Sequence, residues 1–467
     1  MSRVSTVSAV LVALLTVGAA AEAQDAPLVQ AAENPTQRGV AVVVAPPGTL
    51  CPELVTQFPT VGGARGDLRD RCTELVVSAN NPAQLGNVQA GLQAMSPDAV
   101  TAQGTSFVET SVLRLATLAA RLASLRAGGS GTARPGIALD GQEGVSTGIL
   151  VASVAPGGLL TAAPAPADQS DRLGFFLTGH FATGDKDATD REAGFDFDAG
   201  SLLGGVDYRF TRDLVLGAAV GYSVTNADLA GSRGSVDVDG VSLSLYGTHF
   251  ATNRFFVDGI VSGGFDSYDT SRNIRYAIPG VGGGTTEVNQ TARGDTDGPW
   301  FVVGAGAGYD VTMGGLTFGP LARVSFAKAY IDGYQESISG TGPGSGLALD
   351  VDSQDVDSLQ TVLGAQASYA IGTGFAVLVP HVRAEWVHEF LDDSRTISAR
   401  FVEDPTPSAG TTIRLVTDDP DRDYFNVGVG LSATFRRGIS AFVYYETALA
   451  LADVTAHKMG AGFRFAF

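Results

Sequence analysis

From Val236 to Phe250 the chain reads VDVDGVSLSLYGTHF, with Val241, Leu243 and Leu245 on one face of an extended strand and Ser242, Ser244 and Tyr246 on the other. Two further stretches repeat the division. Leu202, Val206, Tyr208 and Phe210 point away from Asp207 and Arg209, and Val382, Ala384, Trp386 and Phe390 point away from Arg383, Glu385 and Glu389. A tilted strand of about ten residues crosses a bilayer, so each run is long enough to span one. Twelve such strands are expected: 173–181, 195–210, 213–225, 236–250, 254–268, 300–311, 316–330, 358–371, 375–390, 424–435, 439–448 and 457–467. Short connections alternate with long polar ones at 269–299, 331–357 and 391–423. The reading is all-β: a twelve-stranded antiparallel transmembrane β-barrel with a small helical amino-terminal region, apolar faces in lipid and polar faces on a hydrated lumen. A soluble sandwich would leave open edges, whereas closure pairs every strand inside hydrocarbon. Tyr208, Phe210, Trp300, Phe301, Tyr309, Trp386, Phe390, Tyr444 and Tyr445 lie near strand ends as candidates for interfacial girdles.

Composition agrees. The 467 residues carry 49 acidic against 30 basic side chains, a net charge of −19, which argues against a nucleic-acid partner. Sixty glycines without a three-residue period exclude collagen, and 44% apolar residues exclude wholesale disorder. Beyond the amino terminus no apolar run reaches about 20 residues, so a membrane span must be a strand.

Residues 1–23 combine Arg3, an apolar run from Ala9 to Ala20 and the small-residue ending Ala21-Glu22-Ala23, the pattern of a removable secretory signal peptide. The mature chain is then extracytoplasmic, and Cys51 and Cys72 are candidates for a disulfide contributing roughly 3 kcal/mol. Residues 24–127 form a short region bearing that disulfide candidate and helices. Within 82–127, Pro82 and Pro97 start turns, with Ser96 a candidate cap. Val108, Val112, Leu115, Ala119 and Leu122 recur at helical spacing, with Arg114 and Arg121 on another side. This helix either packs on a small domain or fills the lumen. Residues 128–170, rich in Gly, Ala, Ser and Pro, read as a linker, and 171–467 as the barrel domain.

Signals for chemistry are sparse, and the chain is read as no enzyme. His180, His249, His381, His388 and His457 scatter over separate strands, and no convincing nucleophile elbow occurs. Asp266, Asp269, Asp295 and Asp297, or Asp350, Asp352, Asp355 and Asp357, lack the spacing and terminal glutamate of a calcium loop and read as an acidic surface facing lipopolysaccharide. No catalytic, metal or cofactor-binding residue is assigned. Asp207 with Arg209, and Arg383 with Glu385, share strand faces and are lumen candidates. Arg114 and Arg121 are their candidate partners on a plug.

Three motifs add a family likeness. Gly319-Pro320-Leu321-Ala322-Arg323 is followed by Tyr330, Asp332, Gly333 and Tyr334. Pro380-His381-Val382-Arg383-Ala384-Glu385-Trp386-Val387-His388-Glu389-Phe390 forms the second. The chain then ends Gly462-Phe463-Arg464-Phe465-Ala466-Phe467. Over 171–467 the sequence resembles the outer-membrane translocator domain of type V secretion autotransporters. The resemblance implies insertion by the outer-membrane β-barrel assembly machinery, with Phe463, Phe465 and Phe467 as the assembly signal, and surrounding outer-membrane lipids and lipopolysaccharide as partners. It also implies translocation or surface display of the upstream passenger, with part of the chain, here 106–127 or the junction toward 170, left threaded in the lumen. The passenger is atypically short and lacks the many short strands of a β-helix. The alternative is a passenger-poor structural or adhesive barrel, or a restricted pore plugged by the amino-terminal helix, with an unknown surface target.

Overall fold

The computed structural model describes residues 26–104, 118, 122, 173–211, 213–251, 254–435 and 439–466, with side chains to Phe463. Twelve long strands close an antiparallel barrel. They are β1 (Leu173–Lys186), β2 (Phe195–Arg209), β3 (Leu214–Leu229), β4 (Gly234–Phe250), β5 (Phe255–Pro279) and β6 (Thr285–Tyr309). The second half comprises β7 (Leu316–Ile331), β8 (Gln354–Tyr369), β9 (Ala376–Glu389), β10 (Asp423–Phe435), β11 (Ile439–Leu449) and β12 (Val454–Ala466). Each pairs with its chain neighbours, and β1 closes the ring on β12 from Gly174 opposite Ala466 to Lys186 opposite Val454. No edge is left to face hydrocarbon, where an unpaired backbone group costs several kcal/mol.

Burial along the strands is inverted relative to a soluble protein. Val241, Leu243, Leu245, Val261, Phe265, Val382 and Val443 are exposed, while Thr178, Ser244, Ser262, Asp266, Gln366, Arg383, Glu385, Asn426 and Glu446 are buried. Exposed apolar side chains circling the wall are the lipid belt, and the polar set lines the lumen. Aspartates take over the outward face immediately beyond this belt: Asp237 and Asp239 on β4, Asp269 on β5, Asp295 and Asp297 on β6. Of the girdle candidates, Tyr208, Phe210, Phe301, Tyr309, Trp386 and Phe390 are exposed on the outer wall. Trp300 and Tyr444 face inward, because each has a polar lumenal partner: the Trp300 indole donates to Asp266 at 3.0 Å, and Tyr444 hydrogen-bonds His180 at 2.5 Å.

The 269–299 segment, expected as a loop, is strand. β5 and β6 stay in register from Phe255–Tyr309 to Pro279–Thr285, and positive φ at Gly283 and Gly284 closes the turn. Segments 331–357 and 391–423 also contribute short strands, Tyr334–Gln335, Leu349–Val351, Thr396–Phe401 and Ile413–Val416, which form a separate four-stranded sheet. The long hairpin and this sheet stand at the end of the barrel that carries the long connections, the outer end.

Among the described residues, helix precedes the barrel in α1 (Pro27–Ala31), α2 (Pro35–Val44), α3 (Leu50–Gln57), α4 (Gly63–Ser78) and α5 (Leu85–Ala94), and again over 98–104. Helix therefore begins well upstream of residue 82. Asn34 caps α2 by accepting from the Gln37 amide at 2.8 Å with Pro35 in the first turn, and Pro46-Pro47 stop it. Val40, Ala41, Val43 and Val44 are its buried face. The Cys51–Cys72 disulfide joins α3 to α4 with both residues buried.

Leu243→Arg puts a guanidinium into the lipid belt and lowers barrel stability by about 2–4 kcal/mol, whereas Val281→Arg at the hairpin tip shifts it by less than about 0.5 kcal/mol. Urea titration of the heat-modifiable barrel in vesicles measures both. Equal shifts would mean that Leu243 does not face lipid.

Candidate functional site: the lumen and its outer cap

The wall of the lumen holds a compact charge network. Arg383 pairs with Glu446 and, at 3.2 Å, with Glu385, whose second oxygen lies 3.4 Å from Arg323. Arg383, Glu385 and Glu446 are each no more than 5% exposed. Strand periodicity puts Arg383 and Glu385 on one face, and barrel curvature brings β7 and β11 to them. Gly460 makes room beside this network: a Cβ there would strike the Tyr444 ring 2.1 Å away and His180 at 2.9 Å.

Two helical leucines occupy the interior. Leu122 sits beside Phe256, Asp258, Ile260, Arg323, Arg383 and Glu385 at a cavity of about 40 Å³. Leu118 sits against Leu203, Ser223, Ser242 and Ser244 at a cavity of about 20 Å³. Both are fully buried, and their spacing of four puts them on one helix face. Leu122 lies nearer the short-turn end than Leu118 does. Gly104 stands at the outer rim, where a cavity of about 470 Å³ lined by Lys186, Glu192, Arg395 and several aspartates opens, whereas Leu173 begins β1 at the opposite end. Gly104, Leu118, Leu122 and Leu173 thus mark successive depths from outside to inside.

Above the rim, residues 26–104 are packed onto the barrel's outer extensions as a cap. Gly39 brings α2 within 2.9 Å, counted from an ideal Cβ, of the Arg414 carbonyl on the small sheet. Glu74 on α4 accepts from Thr286 at 2.7 Å and from the Val281 amide at 3.3 Å at the hairpin tip. Asp67 receives the Gly344 and Gly346 amides at 2.9 and 3.0 Å. Arg272 of β5 is the keystone. Its guanidinium donates to the Ala94 carbonyl at 2.7 Å, the Leu347 carbonyl at 2.9 Å and Glu336 at 3.0 Å, tying α5, the outer loop that follows β7 and the strand together. Next to it, Asp98 accepts from Ser96, from Gln93 at 2.5 Å and from Arg233 at 3.2 Å. Burial pushes the Asp98 and Glu74 carboxyls above their ordinary values, ahead of the opposing pull of their hydrogen bonds and arginines.

Among the sequence candidates, Asp207 is buried inside the barrel and Arg209 half-buried on the same face. Arg383 and Glu385 meet directly, and Phe463 is 59% exposed on the outer wall. Arg114, Arg121, the secretory segment, the linker 128–170 and the side chains of Phe465 and Phe467 lie outside the described residues. Of the histidines, His180 and His381 face the lumen while His388 pairs with Asp423 at 2.8 Å on the outer wall. Asp266 is a lumenal acceptor rather than a loop residue, and Asp269 faces Asp295 across the ladder. No group of three or more potential metal ligands converges among the described residues. Sequence reading missed Arg272, Arg233, Glu336, Glu74 and Asp98. The available signal was the alternation of Ile274, Tyr276 and Ile278 within the polar 269–299 stretch.

A closed wall of inverted polarity, with long connections gathered at one end, defines an outer-membrane β-barrel protein. The family described as autotransporter beta-domain matches residues 175–446, and the chain belongs to that family. Outer membrane protein B of Rickettsia japonica is 26% identical over 251 residues, 52% of this chain and 14% of that protein. The putative uncharacterized protein YaiT of Escherichia coli K12 is 24% identical over 253 residues, 53% of this chain and 22% of its own length. The chain therefore spans less than a quarter of these curated relatives. Among solved structures, the translocator domain of autotransporter NalP from Neisseria meningitidis aligns over 64% of this chain and 89% of its own at 15% identity, TM-score 0.48. The beta domain of the Bordetella autotransporter Brka aligns over 64% of this chain and 100% of its own at 16% identity, TM-score 0.40.

The raised Glu74 and Asp98 carboxyls give the cap a defined pH response. Folding binds protons that the unfolded cap releases, so stability rises as pH falls from neutral through the raised values, and levels off below the ordinary 4.5 and 3.8. The thermal midpoint of the helical circular dichroism signal should therefore be higher at pH 5 than at pH 7.5. A lower midpoint at pH 5 would contradict burial as the dominant cause.

Proposed function

We propose that this barrel exports its own short amino-terminal region and keeps it as a cap on the outer surface, with the connecting chain retained in the lumen. The observation that carries this reading is the ordered descent from the cap through Gly104, Leu118 and Leu122 to the start of β1 at the inner end. A cap folded on the outer loops is what remains after a chain has passed outward. In this reading residues 1–23 direct secretion, the assembly machinery inserts the barrel from its terminal strand, and lipopolysaccharide surrounds the outer aspartates. The burial of Leu118 and Leu122 inside the barrel favours a second, compatible role as a plugged, restricted pore at rest. Arg114 and Arg121 are assigned to the plug, facing the acidic side chains of the wall.

A protease site inserted between Asn80 and Asn81, an exposed turn, tests export. Cleavage on intact cells is expected. Protection on intact cells with cleavage after lysis would put the cap in the periplasm and overturn the proposal. In planar bilayers, Arg114→Glu with Arg121→Glu is expected to raise conductance, and unchanged conductance with normal insertion counts against plug contacts.

A further inference from the structure

The rim cavity of about 470 Å³ beside Gly104 lies between β8–β10 and the outer ends of β12 and β1, and its lining holds nine carboxylates against two cations, Lys186 and Arg395. Most of these charges are already engaged. Lys186 pairs with Asp418 at 2.9 Å and Glu192 at 3.5 Å, and Lys328 on the outer wall holds Asp357 at 2.9 Å and Asp355 at 3.7 Å. Glu389 accepts from the Ser358 hydroxyl and from the Leu359 and Leu391 amides. Arg395 presses its guanidinium on Gly104, where an ideal Cβ would lie 2.1 Å away, and so turns its charge from the cavity. Asp421 receives only the Ala452 amide at 3.0 Å. Asp393 and Asp453 are left over: among the described residues neither side chain has a hydrogen bond or a salt bridge.

A second observation is independent of the acidic charge. Gln360 of β8 is 8% exposed and lines the same cavity, yet its side-chain oxygen accepts no hydrogen bond among the described residues, and its amide reaches Tyr424 only at 3.5 Å. A buried acceptor without a donor is costly, so this oxygen calls for a donor inside the cavity. Carboxylates and orphan acceptor therefore ask for the same kind of group, a cationic N–H donor. The space is the size of a small-molecule site. A compact metal ion is disfavoured, because a hard divalent cation wants about six oxygens within roughly 2.6 Å and no group of three potential ligands converges among the described residues. Leu391, Leu451 and Val454 stand between the acidic groups, so the lining alternates charge with apolar surface.

We propose that this rim cavity binds an aliphatic polyamine, with ammonium groups on Asp393, Asp421 and Asp453, one N–H donated to the Gln360 oxygen, and the methylene spacers against Leu391 and Leu451. A chain of spaced ammonium groups reaches carboxylates that are too far apart for one ion, and it relieves the mutual repulsion of the loops that carry them. Its place beside Gly104 puts the ligand at the mouth of the lumen. The site belongs to the folded barrel and its outer connections, so it stands whether or not residues 26–104 are exported.

Isothermal titration of the purified full-length chain in non-ionic detergent with spermidine tests this, at about 0.1 M salt so that charges beyond roughly 10 Å are screened. Barrel assembly is read in parallel from heat-modifiable mobility. Asp393→Asn with Asp453→Asn is expected to weaken spermidine binding by about tenfold, equivalent to about 1.4 kcal/mol, and Gln360→Leu by about threefold. Asp237→Asn with Asp269→Asn, which removes the same charge from the outer wall away from the cavity, is expected to match wild type. Absence of spermidine binding by the wild-type chain overturns the proposal. An equal loss in the Asp237 and Asp269 variant overturns it too, since the attraction is then that of an acidic protein at large. Wild-type affinity in Gln360→Leu puts the ligand outside the cavity and has the same consequence. Displacement of spermidine by magnesium at matched charge assigns the cavity to inorganic cations and overturns the polyamine class. Should Gln360→Leu fail to assemble, the two aspartate pairs decide.

Discussion

Every feature of this molecule depends on the ladder between β1 and β12. Thirteen consecutive residue pairs join Gly174–Lys186 to Val454–Ala466 across 280 residues of sequence, and they remove the last unpaired backbone edge from the membrane. Hydrocarbon offers no substitute for those hydrogen bonds, so an open sheet of the same strands has no stable place in a bilayer. Closure also creates the inside. Serines, threonines and charged pairs that a sandwich could not tolerate on a packed face become the lining of a narrow polar tube, and lumenal rings lie flat over glycines such as Gly460 and Gly217 of neighbouring strands.

The same backbone ladder serves two solvents. Along β5, the outward face is apolar from Phe255 to Phe265 and then turns to Ser267 and Asp269, while the inward face runs through Asp266 and Thr270 to Ile274, Tyr276 and Ile278. Polarity thus reverses along one strand as it leaves the lipid. Below the rim, the polar face looks into the lumen. Above it, the apolar face looks onto helices. Arg272 sits at that crossover, 4% exposed, and its donors satisfy carbonyls from the cap and from the outer loop together. Such a position stabilises the joint and also forbids its easy separation, because an unpaired buried guanidinium is costly.

Much of this was legible along the chain. Each of the twelve expected strands overlaps an observed one, since side-chain alternation and turn spacing are local properties. Arg383 and Glu385 were readable as one-face neighbours. Their contacts with Glu446 and Arg323 were not, because these join β9 to β11 and β7 through the curvature of the wall. The 269–299 hairpin was read as loop because its alternation is carried by Asp, Ser, Thr and Arg with few apolar markers, and its five-residue turn contains four glycines. The early helices were obscured by prolines and by α4, whose apolar residues do not concentrate on one stripe. Its buried face includes Arg71 and Glu74, groups tolerated there because they pair with each other.

The sequence by itself determined the alternation, the crossing length and the asymmetry of the connections, because these follow from the geometry of single strands and the chemistry of single side chains. Tertiary structure alone decided that the amino-terminal helices share a core with the barrel's outer loops, and that Leu118 and Leu122 lie buried inside the tube. Those outcomes depend on which surfaces meet when residues hundreds of positions apart are brought together. No local pattern encodes a contact whose two halves are each, on their own, merely incomplete.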